Sequence, residues 1–317
     1  MHNLITLLDG GFGTMLQKQG IQLGHNPALL CLEQPEAVTA IHRQYVEAGS
    51  RILYANTFSA NRLKLEGTGH SVEEVVTVAI GCAKDACRGT NAKVALDIGP
   101  IGQLMRPMGS LSFDQCYEIF KEMCVAGENA GADLIAIETM MDLAEARCAV
   151  LAAKENTSLP VLVTMTYEDS GRSFLGCDVA AMGMVLEGVG ADAVGINCSL
   201  GPDRMLPVVQ RLAQYTALPL VVKLNAGLPD PQTGEYSLSP EEYAALLEPY
   251  FDLPVAFVGG CCGTTPDYIR AVKARFGMRT VKQNSFTPIS AVCSPRTVVE
   301  LDQIRVIGER INPTGKK

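Results

Sequence analysis

The chain has 317 residues, 47% of them apolar and 19% charged, with a formal net charge of −8 at neutral pH. That composition describes an ordinary globular protein, long enough for one large α/β domain or two smaller ones. The acidic balance argues against a nucleic-acid surface, no apolar run approaches the roughly 20 residues that span a bilayer, and no signal peptide fits ahead of the first strand-like run, so the expected address is the cytoplasm.

Apolar, β-branched runs of strand length recur at 4–8, 52–55, 94–98, 134–137, 161–166, 193–196, 220–224 and 255–258. Between them lie stretches of helical periodicity, among them 37–48, 72–87, 113–130, 143–154 and 241–250. A last helix opens with Thr265 as a cap and Pro266 in its first turn, where proline is tolerated. Strand–helix alternation repeated eight times predicts parallel strands closed into a (β/α)8 TIM barrel over residues 1–277. A doubly wound open sheet is the alternative, but Asp9-Gly10-Gly11-Phe12-Gly13 lacks the GxGxxG register of a dinucleotide site.

Barrel enzymes gather catalytic groups where the strands end. Here those ends read Asp9-Gly10-Gly11, Asn56-Thr57, Asp97, Glu138-Thr139, Thr166, Asn197-Cys198, Asn225 and Cys261-Cys262. Cys198, Cys261 and Cys262 make an incomplete tetrahedral zinc set, and an open fourth position marks a catalytic rather than a structural metal. By spacing alone zinc and coincidence are evenly matched, because no CxxC is present. The concentration of polar side chains at strand ends tips the balance to zinc. The sixth and eighth strands have one neighbour between them, so their ends lie roughly 10 Å apart and inward-leaning cysteines can share one ion. Asn225, ending the seventh strand, is placed to offer an amide oxygen to the open position.

The other cysteines read differently. Cys82, Cys87, Cys116, Cys124 and Cys148 fall in helical stretches as plain packing, and Cys31, Cys177 and Cys293 have no partner at ligand spacing. An odd total of 11 without a secretory signal argues against a disulfide framework. None of the four histidines, His2, His25, His42 and His70, falls at a strand end.

The segments Leu8-Asp9-Gly10-Gly11-Phe12-Gly13-Thr14, Asn56-Thr57-Phe58, Asp97-Ile98-Gly99-Pro100, Glu138-Thr139, Gly195-Ile196-Asn197-Cys198-Ser199, Asn225-Ala226-Gly227 and Gly259-Gly260-Cys261-Cys262-Gly263 together resemble the homocysteine S-methyltransferase family over roughly the first 277 residues. The resemblance implies a zinc-dependent barrel that methylates homocysteine to methionine, with Cys198, Cys261 and Cys262 as metal ligands. It also implies that Asn225 contacts zinc until the substrate thiolate displaces it. Lys223-Leu224 departs from the acidic or aromatic residue and proline that commonly precede this asparagine.

The tail, Val306-Ile307-Gly308-Glu309-Arg310-Ile311-Asn312-Pro313-Thr314-Gly315, resembles the opening of the folate-binding module of cobalamin-dependent methionine synthases. This second resemblance implies a homocysteine module at 1–277, an inter-module linker at 278–302 and, at 303–317, the start of a following folate-binding module cut short. Methylcobalamin on another module would then be the methyl donor, and methyltetrahydrofolate would be used elsewhere in the same enzyme.

A free thiol is only a few per cent ionised at neutral pH, whereas zinc binding deprotonates it. Four thiolates around one divalent ion leave a negative surplus that keeps the bound sulfur electron-rich. Glu138 is the expected acceptor for the homocysteine ammonium, with Asp9 in support. The backbone N–H groups of Gly10 and Gly11 are expected to hold its carboxylate. Three alternatives remain open: a self-sufficient methyltransferase using S-methylmethionine or betaine, a redox barrel with a Cys261–Cys262 vicinal disulfide, and a silent zinc- or homocysteine-binding subunit.

Overall fold

A computed structural model describes residues 4–21 and 26–304. In chain order the elements are β1 (Thr6–Leu7), α1 (Phe12–Lys18), α2 (Leu30–Glu33), α3 (Pro35–Ala48), β2 (Ile52–Tyr54), α4 (Val72–Cys87), β3 (Lys93–Ile98), α5 (Phe113–Asn129), β4 (Leu134–Met140), α6 (Leu143–Asn156), β5 (Val161–Met165), α7 (Val179–Gly188), β6 (Ala193–Cys198), α8 (Pro202–Ala213), β7 (Leu220–Leu224), α9 (Pro240–Leu246), β8 (Val255–Gly260), α10 (Pro266–Phe276), β9 (Ala291–Ser294) and β10 (Thr297–Glu300). From β2 to β8 each strand pairs in parallel with the next, and β8 pairs with β1. A single parallel bridge from Leu8 to Ile52 joins β1 to β2 and closes the ring. The expected (β/α)8 barrel is the observed fold, with all eight strands where the apolar runs placed them.

Both faces of these strands are buried, which is why they read as unbroken apolar runs. One face packs inward: Leu8, Ile52, Tyr54, Ala95, Leu134, Ala136, Leu162, Ala193 and Val221 form a small inner cluster. The other face, including Val94, Leu96, Ile135, Val163, Val194 and Val222, joins the helices in the large outer core. Side chains alternate across a strand. The parity that turns Ala95, Ala136 and Val221 inward therefore also turns Asp97, Glu138 and Lys223 inward, one step nearer the carboxyl ends. The top layer of the barrel is consequently charged.

Helix starts follow local chemistry. Ser112 and Ser239 close capping boxes with Gln115 and Glu242, and Asp142 and Asp178 cap α6 and α7. Pro266 lies in the first turn of α10 as expected, but the Thr265 hydroxyl makes no capping bond.

The stretch after α10 packs back on the barrel. Arg279 C=O accepts from Ile5 N–H at 3.0 Å and Asn284 Nδ2 donates to Thr216 C=O at 3.3 Å. The antiparallel hairpin of β9 and β10 then lies against the β5–α7 connection, where Pro295 C=O accepts from Asp178 N–H at 2.8 Å. Tyr215 donates to Glu300 at 2.6 Å beside it. The Val306–Gly315 segment lies outside the described residues.

Close strand approach makes a sharp demand at Gly195, where an added Cβ would lie 1.9 Å from the Val221 carbonyl oxygen. Gly195→Ala should lower unfolding stability by about 3 kcal/mol, read as a fall in denaturant midpoint. Gly81 in the middle of α4 faces open space, so Gly81→Ala should instead raise stability by about 0.5–1 kcal/mol.

Candidate active site

The three site cysteines converge. Cys198 ends β6, Cys261 and Cys262 follow β8, and the register through Leu224 brings the two strand ends level. Their Sγ atoms all lie within 4.8 Å of one another, with Cys198 and Cys262 at 3.6 Å. No other His, Cys, Asp or Glu group of three among the described residues is so close. All three are partly buried and free of disulfides, so Cys261 and Cys262 are not bonded to each other.

Local backbone strain positions them. Thr139, Cys198 and Ser199 have φ of 64°, 55° and 65°, the positive-φ non-glycine residues among those described, and all three border the site. A hydrogen-bond frame holds this conformation. Asn197 Oδ1 accepts from Thr139 N–H and Thr164 Oγ1, each at 2.8 Å, and its Nδ2 donates to Thr139 Oγ1 at 2.8 Å. Asn225 clamps the two cysteine loops, donating from Nδ2 to Ser199 C=O at 2.8 Å and accepting the Cys262 N–H on Oδ1 at 3.0 Å. A carbonyl oxygen has two lone pairs, so this bond leaves one for a metal. Tyr236 covers Gly263 so closely that a Cβ there would sit 2.2 Å from its ring.

The glycines expected to hold a carboxylate have a packing role. Gly11 N–H donates to Thr264 Oγ1 at 3.0 Å, and Thr264 in turn donates to Cys261 C=O at 2.7 Å. A Cβ on Gly10 would lie 2.7 Å from Thr264 Oγ1, and one on Gly11 2.6 Å from Cys261 C=O. These glycines let the β1 loop close on the β8 loop, and the Gly11 N–H is already engaged.

Beside the thiols lies a buried charge cluster. Lys223 Nζ stands 3.1 Å from Glu138 Oε2, 3.3 Å from Asp9 Oδ1 and 3.6 Å over the Tyr54 ring. Asp9 Oδ2 accepts the Tyr54 N–H at 2.7 Å. Burial works to lower Lys223, but the carboxylates of Glu138 and Asp9 outweigh it and hold its pKa well above the ordinary value. Burial pushes Asp9 up to about 6 against the pull of Lys223, and it raises Glu138 as well. Asp97 is raised well above its usual range by burial and by Glu138, and its Oδ1 has no partner.

Sequence reasoning placed Cys198, Cys261, Cys262, Asp9, Gly10, Gly11, Glu138 and Asn225 at the strand ends, and the fold brings them to one mouth. It missed Lys223, noted only as a departure, together with Tyr54, Tyr236 and Thr264. A charged residue at an inward-facing position of Leu-Val-Val-Lys-Leu was the available signal. The described histidines stand apart: His42 packs 5.0 Å from Phe12 and burial lowers it to about 4, while His70 pairs with Glu74 on the surface.

A homocysteine S-methyltransferase profile matches residues 6–276. The chain belongs to the homocysteine S-methyltransferase family. It is 31% identical over 335 residues to methionine synthase of Mycobacterium tuberculosis (strain ATCC 25618 / H37Rv) and 29% identical over 339 residues to that of Mycobacterium leprae (strain TN). Each match covers 98% of this chain but only 28% of the relative, so the chain spans little more than a quarter of those proteins. Two crystal structures of the homocysteine methyltransferase MmuM from Escherichia coli, the oxidized and metallated forms, match with TM-scores of 0.75 and 0.73 at 25% and 26% identity. Both cover 86% of this chain and 96% of that protein. Its thiol triad is a donor set suited to zinc.

Three thiols so close cannot all ionise without a cation to share them. Hydrogen bonds from Cys198 and Cys261 pull Cys262 down to about 3, while hydrogen bonds with Cys261 and Cys262, together with burial, push Cys198 far above the ordinary thiol range. The carboxylates give a cleaner pH signature. Asp9 moves from 3.8 to about 6 on folding, so the native state keeps a proton that the unfolded chain has released in that window. Stability from this source is complete below about pH 4 and is lost as pH rises through about 6. Asp9→Asn should flatten that part of the profile, measured as denaturant midpoint against pH.

Proposed function

We propose that this chain activates homocysteine for S-methylation to methionine, as the homocysteine module of a cobalamin-dependent methionine synthase. The convergence of Cys198, Cys261 and Cys262 at the open barrel mouth carries the reading, since three protein thiols leave one tetrahedral position for a substrate sulfur. Zinc bound by these cysteines would supply thiol deprotonation at neutral pH. The residues do the rest. Asn225 and the strained Cys198-Ser199 turn fix the donor atoms before substrate arrives, and the Tyr236 ring packs over the Gly263 turn beside them. The charged layer below recognises the amino-acid end of the substrate, so that the thiol points to the cysteines.

The choice of donor draws on the relatives. Proteins named methionine synthase match this chain over 28% of their length, which supports methylcobalamin carried on another module and methyltetrahydrofolate used by a further one. Exposed apolar side chains on the loops after β3, β4, β5 and β7, namely Leu104, Met108, Met141, Phe174 and Leu228, surround the mouth and suit a docking partner. A second reading, a self-sufficient methyltransferase using S-methylmethionine or betaine, is favoured by the coverage of 96% of MmuM by one such barrel. Among the described residues no helix is long and apolar enough to cross a membrane; a cytoplasmic location and the absence of nucleic-acid partners belong to the proposal.

The test is methionine formation from homocysteine and free methylcobalamin by anaerobically purified, zinc-loaded protein. The expected outcome is a rate above background that vanishes in Cys262→Ala together with the bound zinc, measured by metal analysis. Turnover with S-methylmethionine or betaine, and none with methylcobalamin, would favour the self-sufficient enzyme. Binding of homocysteine without turnover on any donor would leave a silent subunit.

A further inference from the structure

The buried layer beneath the thiols holds Asp9, Asp97 and Glu138 against a single cation, Lys223. Buried charges persist when they are paired. Lys223 pairs with Glu138 and Asp9, and Tyr54 serves Asp9 through its N–H and Lys223 through its ring. Asp97 makes no such contact, and Lys223 and Lys64 act on it only through space. It is 7% exposed, its Oδ1 is a buried side-chain oxygen with no hydrogen-bond partner, and its only recorded side-chain hydrogen-bond neighbour, Thr57, bonds to its backbone.

Asp97 also points into the site. Ala95, two residues before it, belongs to the inner cluster, and Asp97 stands opposite Ala136 in register, one inward step from Glu138. Lys223 bonds two of the three buried carboxyl groups and leaves Asp97 Oδ1 without a donor. The donors of these acids do not meet the spacing of a shared metal site, which among the described residues only the cysteine triad does. What the layer lacks is a monovalent cation that donates hydrogen bonds, which is the character of an α-ammonium.

We propose that Asp97 receives the α-ammonium of the substrate amino acid, with Lys223 as the fixed counter-ion of Glu138 and Asp9. The assignment rests on the function proposed above and moves the principal ammonium contact from Glu138, already engaged by Lys223, to Asp97. It makes Asp97 the residue that distinguishes an amino-acid thiol from a simple mercapto acid of the same length.

The experiment compares binding of homocysteine and of 4-mercaptobutyrate, the same molecule without its amino group, to zinc-loaded wild-type protein and Asp97→Asn by calorimetry. Loss of a charge-assisted hydrogen bond should weaken homocysteine at least about tenfold in the variant. Affinity for 4-mercaptobutyrate should stay within about twofold, because that ligand has no ammonium to lose. Equal weakening of both ligands, or unchanged homocysteine affinity, would overturn the assignment while leaving the proposed function intact. Failure of the wild-type protein to bind either thiol would overturn both. Thermal unfolding of the metal-free proteins supplies an independent readout. Asp97→Asn replaces a buried carboxyl whose Oδ1 has no hydrogen-bond partner at nearly constant shape and should melt no lower than wild type, whereas a fall of several degrees would make Asp97 structural and sink the proposal.

Discussion

Closure of the sheet between Leu8 and Ile52 is the constraint on which the remaining features depend. Without it β1 and β2 would be opposite edges, and Asp9 would be separated from Tyr54, whose N–H it accepts. The separate pairing of β8 with β1 lets Thr264 bridge Gly11 and Cys261. A closed parallel ring forces every strand to alternate between an inner and an outer face. Residues that are remote in sequence, at positions 97, 138 and 223, thereby share one layer, and Asp9 joins them through Lys223 and Tyr54.

The barrel interior is graded from apolar to charged. Below lie Ile52, Ala95, Leu134, Ala136 and Ala193, and one step higher lie Asp97, Glu138 and Lys223. Leaving three carboxylates and one ammonium out of water is costly, and such an arrangement is poor as a stabilising device. The surrounding core tolerates it because the outer face of every strand packs against helices. The same logic applies to the backbone: left-handed Thr139, Cys198 and Ser199 are held by Asn197 and Asn225, whose amides satisfy groups on three neighbouring loops. Strain and unpaired charge are concentrated where a metal and a zwitterionic substrate would relieve them.

The family match spans the strand ends that carry the three thiols. The profile covers residues 6–276, which is the barrel, and the hairpin of β9 and β10 lies beyond it. That hairpin is anchored at Asp178, a residue which also caps α7 and pairs with Arg211 at 3.2 Å. The C-terminal stretch is thus bound to the side of the barrel as far as it is described, instead of hanging free as a linker composition would allow.

Strand count, parallel order and the cysteine triad were legible in the sequence because they follow from local patterns: apolar runs at strand length, helical periodicity between them, and polar residues at each run's end. Glycine beside Cys261 and Cys262 was also legible, since a close backbone approach admits no Cβ. Inward parity of Asp97 and Lys223 was available in principle but could not be weighted, because an apolar strand buried on both faces gives no local sign of which face is the barrel interior. The pairing of Lys223 with Glu138 and Asp9, the engagement of Gly11 by Thr264 and the clamp through Asn225 join residues 26 to 253 positions apart. Sequence alone determined which chemical groups the mouth contains. Only the tertiary structure decided which of them are already paired, because pairing depends on the register and closure that bring distant strand ends to one level.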